Sequence, residues 1–414
     1  MKVAKECCKN GILQSIINRM NMYKEPLFPL EIKFFDVKLI FIITALCPEI
    51  RKPLADDEYT VRYLIDILGN IVMKSYGDHH GKTATLNNEV VELASEILKA
   101  LFNLTLRIQS SESELTKYTD LVSILRKCLL ASVDAKDKRV TLHNNVINLL
   151  TNIPNPCYKA LIPPIDADKT EDQLEYKSHD VAALSQILEL LKTKMLNDGS
   201  VSDQHEILSP ITTVLYKGAC ADRIIRKYLR SEILPPLKDV HSRPEEGSTL
   251  RNCLCRLLTT PMTQLRDIIA ELLFVLCKKS VRRMIKYTGY GNAAGLFAQR
   301  GLLGGREDDG AADFSSDSED SETEEYAEHK HMINPVLGCY EPPHADAMAE
   351  MSDEQKEFEA MKLVQLMDDL MKSGTIKPCR VGKDGKPEPI EHVLQLQESI
   401  KGQTNWRQDN CDSD

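Results

Sequence analysis

Apolar residues recur at three- and four-residue steps through most of the first three hundred positions. In EVVELASEILKALFNLTL, Val90, Leu93, Ala94, Ile97, Leu101 and Leu104 line up as one stripe along a helix. The same period predicts helices over Glu31–Leu46, Tyr59–Lys74, Glu89–Leu106, Leu121–Leu130, Leu142–Asn152, Val181–Met195, Ile211–Tyr216, Arg223–Ser231, Thr249–Thr259 and Thr263–Cys277. No comparable run alternates with period two, so strands are not expected.

The breaks between these segments are short and carry proline, at Pro48, Pro154, Pro235-Pro236 and Pro261. Each suits a stop between stacked helices. Their spacing predicts repeats of roughly forty residues, the armadillo or HEAT pattern. The expected fold is all-α: an armadillo/HEAT-like α-solenoid followed by an acidic, largely extended C-terminal tail with one amphipathic helix. Ser75–Asn87 and Pro154–Tyr176 lack periodicity and are expected to be surface insertions. The run Leu39–Leu46 is far too short to span a bilayer and fits a buried repeat helix.

From Ile285 to Gly305, IKYTGYGNAAGLFAQRGLLGG, glycines interrupt the pattern. Gly289, Gly291 and Gly295 punctuate the chain, while Leu296, Phe297, Leu302 and Leu303 are apolar enough to keep it docked. It is therefore expected to be a docked hinge, where packed helices give way to an extended segment. Further on, INPVLGCYEPP should be extended because proline excludes regular helix. Ser352 and Gln355 then form a capping box ahead of EFEAMKLVQLMDDLMKS, which brings Phe358, Met361, Val364, Met367, Leu370 and Met371 onto one broad face. Such a Met-rich face suits docking on the solenoid or on a partner. The predicted boundaries are 1–304 for the repeat domain, 305–350 for an acidic phosphorylatable linker, 351–373 for the tail helix and 374–414 for a polar, disordered terminus.

Charge sharpens this division. The formal net charge is −10, which argues against nucleic-acid binding. Glu307–Glu328 holds eleven acidic residues and no Lys or Arg, whereas Lys278–Lys286 holds five basic residues in nine positions. The first twenty residues carry charges throughout and lack the apolar centre of a signal peptide, so a cytoplasmic protein is expected. The twelve cysteines lack paired CxxC spacing, which points to reduced thiols and no metal site.

No phosphate loop, HExxH pair, GxSxG elbow or kinase signature is present, so no catalytic residue and no cofactor are expected. Ser316 and Ser321 each have Glu three residues on, the pattern of an acid-directed protein kinase, with Ser318 and Thr323 as alternative registers. Phosphate there would add negative charge and strong acceptors, with Arg226, Arg230, Arg283 and Lys286 as receivers. Asn103 and Asn152 both lie near the end of an apolar helix. A side-chain amide there either grips the backbone of a bound peptide or satisfies nearby helix carbonyls.

Six blocks carry a family resemblance: FFDVKLIFIITALCPEIR, LPPLKDVHSRPEEGSTLRN, ELLFVLCKKSVRRMIKYTGYGNAAGLFAQRGLLGG, SDSEDSETEEY, INPVLG and MSDEQKEFEAMKLVQLMDDL. In this order they resemble the synembryn family, chaperones and nucleotide-exchange factors for heterotrimeric G-protein α subunits (Gα). The resemblance implies that the concave solenoid surface holds the C-terminal helix of Gα, that the later segment reaches the nucleotide domain, and that GDP release follows without catalytic chemistry. It implies groove positions for Asn103 and Asn152, with Arg226, Lys227, Arg251 and Arg256 as polar contacts. It also implies a contact face of Phe358, Met361, Val364 and Met367, activating phosphorylation at Ser316 and Ser321, and recruitment to the cell cortex as a monomer. Family members carry further helical repeats ahead of the point matching Met1, so part of the groove is expected to be missing. The alternative reading is an importin-α-like peptide adaptor. Such grooves use a Trp-Asn ladder, and Trp406 is the sole tryptophan.

Overall fold

The computed structural model describes residues 10–25, 28–57, 59–76, 84–106, 112–165, 173–196, 201–304, 323–342 and 351–390. The chain is all-α apart from four two-stranded ladders of two or three residues each among the described residues. It divides into two compact units, one of residues 1–233 with 262–268 and one of residues 234–261 with 269–414.

The first unit is a two-layer stack. One layer runs α2 (Leu30–Leu46), α5 (Asn88–Leu104), α7 (Lys136–Asn152), α9 (Val201–Ala221), each packed on the one before it. The other layer holds α4 (Thr60–Tyr76), α6 (Glu112–Leu130), the 3-10 segment Asn155–Leu161 and α8 (Ala182–Leu196). Helices one repeat apart therefore meet within a layer, and chain neighbours meet across layers, which is how an α-solenoid is built. The stripe on α5 is the reason: Leu93, Ala94, Ile97 and Leu101 are all fully buried. Each large aliphatic side chain so buried stabilises the stack by about 1.5–3 kcal/mol. α1 (Ile12–Met20), α3 (Arg51–Asp56) and α10 (Arg223–Ile233) complete the unit.

Several elements run further than their patterns suggest. α6 starts at Glu112 rather than Leu121, α7 at Lys136 rather than Leu142, and α9 spans Val201–Ala221 with Pro210 inside it. Polar first turns hide the period there, and packing on α7 and α8 carries α9 past its proline. Pro154–Tyr176 is only partly an insertion, because Cys157, Tyr158 and Leu161 of its 3-10 segment are buried in the second layer. The Tyr158 hydroxyl donates to Leu150 O at 2.7 Å. α2 is also less enclosed than its apolar run suggests. Ile40 and Ile43 are buried, whereas Phe35 is 65% exposed and Ile42 and Leu46 face solvent.

The second unit contains α11 (Leu250–Leu257), α13 (Val281–Thr288), α14 (Tyr290–Arg300), α15 (Glu324–His329) and α16 (Asp353–Lys372). α12 (Thr263–Leu276) is shared, with residues up to Ile268 in one unit and those from Ile269 in the other. The glycine block, expected as a docked hinge, is built as two helices, α13 and α14, with Gly289 between them at φ +73° and Gly301 closing α14 at φ +72°. Leu296, Phe297 and Leu302 are buried, as their apolar character requires. Within the stretch assigned to a linker, residues 323–342 are ordered: α15 is followed by an antiparallel hairpin of β5 (Ile333–Asn334) and β6 (Cys339–Tyr340). The strands β1 (Thr85–Leu86) and β2 (Ser132–Val133) pair in parallel, while β3 (Glu175–Tyr176) with β4 (His179–Asp180), and β7 (Cys379–Val381) with β8 (Pro387–Pro389), are antiparallel.

Candidate interaction surface

Three polar rungs tie the C-terminal ends of the first-layer helices together. Asn103 Nδ2 donates to Thr44 Oγ1 at 3.0 Å, with a longer 3.5 Å contact to Phe41 O. One repeat on, Asn152 Nδ2 donates to Phe102 O at 2.9 Å and Thr105 Oγ1 at 3.1 Å. The spacing Phe-x-x-Thr is the same on both accepting helices, and the asparagine reads a carbonyl and hydroxyl one turn apart. The third rung is Lys217 of α9, whose Nζ reaches Thr151 O at 2.9 Å and Ile153 O at 2.5 Å. Burial lowers its pKa, and the carbonyls take over the solvation of its charge. Exposed helix C-terminal carbonyls need donors, so both asparagines satisfy the chain's own backbone. Sequence reasoning missed Lys217, since the recurring Phe-x-x-Thr marks only the asparagine rungs and is absent before Thr151.

The remaining predicted polar residues fall in both units. Arg226 and Lys227 lie on α10; Arg226 Nη1 donates to Ala219 O at 2.8 Å, and partial burial lowers its pKa. Arg230, on the same helix, is buried. Arg251 and Arg256 belong to α11 in the second unit. Arg256 Nη1 bridges Glu245 O and Gly247 O, each at 2.8 Å, and so ties the preceding loop rather than standing free for a partner. That loop is fixed again by Asn252, which forms a capping box with Thr249 and donates to Pro244 O at 2.8 Å.

Around α13 and α14 the second unit gathers basic and aromatic side chains. Arg283 and Lys286 lie on α13, and the Lys286 ammonium sits 4.4 Å from the centre of the Tyr326 ring on α15. Thr323 caps α15: its Oγ1 accepts from Tyr326 N at 3.2 Å and its hydroxyl donates to Leu237 O. Of the phosphorylation registers, Ser316, Ser318 and Ser321 lie outside the described residues. The hairpin after α15 closes on the start of α14, where Tyr290 N and Gly291 N donate to Pro335 O and Val336 O at 2.8 and 3.0 Å. Those carbonyls occupy the first free donors of the helix.

α16 leaves an apolar face open. Ser352 and Gln355 form the expected capping box, yet none of its residues is buried. Phe358 and Met361 are 63% and 64% exposed, Val364 is 49% exposed, and Leu363 and Leu366 lie open beside them. Met367 is half-buried. An apolar helix face of this kind is suited to packing against another surface. All nine cysteines in the described residues are free thiols, and no cluster of metal-binding side chains occurs among those residues. No described helix is long and apolar enough to cross a membrane. Trp406 lies outside the described residues.

A family model described as guanine nucleotide exchange factor synembryn matches residues 3–386. The chain belongs to the synembryn family. Its curated relatives include Chaperone Ric-8 of Drosophila pseudoobscura pseudoobscura, 41% identical over 96% of this chain and 72% of that protein. Chaperone Ric-8A of Xenopus tropicalis is 39% identical over 96% of this chain and 74% of its own length. Among solved structures, a designed armadillo repeat protein aligns at 15% identity over 66% of this chain and 85% of its own, with a TM-score of 0.36. The synembryn match takes in both the layered repeats and the whole of α13–α16, so the family resemblance of the separate sequence blocks extends through both units.

Proposed function

We propose that this synembryn-family chain is a chaperone and guanine-nucleotide exchange factor for heterotrimeric Gα subunits. The family match from residue 3 to 386 carries the reading. The open apolar face of α16 supports it, because a binding factor needs a surface its own fold does not consume. Phe358, Met361 and Val364 provide this contact, with Met367 at its margin.

The repeat layer supplies a second contact, for the C-terminal helix of Gα. Asn103 and Asn152 hold that layer in shape through their bonds to neighbouring helix ends, and Lys227 of α10 is a polar contact beside it. Exchange is a population shift: the chain binds nucleotide-free or nascent Gα better than GDP-bound Gα, so GDP leaves, and GTP binding ejects the partner. No acid, base or nucleophile is required. The working protein is a cytoplasmic monomer recruited to the cell cortex.

An acid-directed kinase acts at Ser316 and Ser321 in this scheme. Thr323 is the weaker register because its hydroxyl already caps α15 and donates to Leu237 O. Arg283 and Lys286 receive the phosphates locally. The test is GTP-analogue uptake by GDP-loaded Gα subunits of each class, with and without kinase treatment. Faster uptake with the chain supports the proposal; no acceleration for any class contradicts it.

A further inference from the structure

The β7–β8 hairpin has two edges of different chemistry. Gly382 N donates to Lys386 O at 2.8 Å, and Ile390 N to Pro378 O at 3.1 Å. With Arg380 opposite Glu388, these bonds turn the backbone groups of residues 378, 380 and 382 inward. Antiparallel alternation then turns the N–H and C=O groups of Cys379 and Val381 outward on one edge, and the backbone of residues 387 and 389 outward on the other. Both of the latter are proline, so that edge offers no N–H. Proline is a standard way of closing a sheet edge to further strands.

The β7 edge carries no such block. Cys379, Arg380 and Val381 are exposed, and β7 pairs only with β8 among the described residues. The hairpin is nevertheless fixed, since Leu303 N donates to Gly385 O at 3.2 Å and Ile390 is buried. Its side chains select for charge. Between 377 and 388 it holds four basic and two acidic residues, and Arg380 is paired with Glu388 at 3.2 Å. Lys377, Lys383 and Lys386 are exposed. Two copies of this edge would bring like charges together, which disfavours self-pairing.

We propose that the free edge of β7 docks an extended acidic peptide segment, which adds to the hairpin as a third strand. The Cys379 and Val381 backbones supply the ladder, and Lys377, Lys383 and Lys386 select an acidic sequence. The site is independent of the Gα-binding reading.

The full chain should be titrated with an acetylated, amidated Glu-Val-Glu-Val-Glu-Val-Glu peptide, following anisotropy and amide hydrogen exchange. Binding should slow exchange at Cys379 and Val381. Val381→Pro, which deletes one outward donor, should weaken binding about tenfold. Slow exchange at Gly382 and Ile390 reports that the hairpin remains intact in this variant. The same peptide N-methylated at alternate residues tests the ladder without altering the protein, and should lose binding at unchanged charge. Equal binding of both peptides, or binding without protection at Cys379 and Val381, would overturn the proposal. So would phosphatidylserine vesicles that displace the peptide through the three lysines while those two amides exchange freely.

Discussion

Asn103 and Asn152 show how one residue type serves the architecture of a repeat. Each donates across to the preceding first-layer helix, at a carbonyl and threonine hydroxyl one turn apart. Replacing either by leucine leaves acceptors at a helix end without their donor, which costs about 1–3 kcal/mol. Urea denaturation should show that loss for Asn103→Leu, and the larger effect should come from Asn152→Leu, whose backbone contact is shorter. His143 of α7 adds a pH dependence. Burial pushes its pKa down to about 4, and its Nε2 has no hydrogen-bond partner. In the unfolded chain the imidazole takes its proton near the ordinary value of about 6.5. The unfolded state therefore binds more protons between these values, so this contribution is complete above about pH 7 and is lost as pH falls toward 4. Between pH 7.5 and 5 the loss should be about 2 kcal/mol more in the wild type than in His143→Leu.

At the scale of elements, α14 is held at both ends by segments that follow it in the chain. Pro335 O and Val336 O meet its first N–H groups, and Gly385 O receives Leu303 N just past its end. Close approach requires small residues: a Cβ at Gly338 would stand 2.8 Å from Pro244 Cγ and 2.9 Å from Gly289 Cα. Gly338 is also at φ +75°. Gly338→Ala should therefore release the β5–β6 hairpin and speed exchange at the Tyr290 and Gly291 amides, with little change in the repeat layers. This helix was not legible in the sequence. Glycine costs about 1 kcal/mol in a helix interior, so local propensity argued against α14. The buried Leu296 and Phe297 overrode it: of the glycines read as punctuation of a docked hinge, Gly289 caps the helix and Gly291 and Gly295 lie inside it. By contrast α5 and α16 were legible, since a continuous apolar stripe and a capping box are local signals. None of the residues of α16 is buried, so Phe358→Ala with Met361→Ala should leave the unfolding free energy from urea denaturation within about 0.5 kcal/mol of wild type. The same pair should reduce Gα exchange.

For the chain as a whole, family membership was legible because its specific blocks are distributed along almost the full length, and the family model matches residues 3–386. The site was less legible. Sequence left Asn103 and Asn152 open between a bound peptide and nearby helix carbonyls, and the family resemblance implied partner contacts for them and for Arg256; a side chain's acceptor depends on groups some fifty residues away or on a turn closing behind it. The face of α16 stays open after those internal bonds are made, and an apolar helix face suits protein recognition. The most direct measurement of that claim is GTP-analogue uptake by GDP-loaded Gα subunits mixed with the kinase-treated chain, wild type against Phe358→Ala/Met361→Ala. Wild type should accelerate uptake for at least one Gα class, and the double variant should give a severalfold smaller acceleration. Uptake at the spontaneous rate for every class, or equal acceleration by both proteins, would contradict that claim.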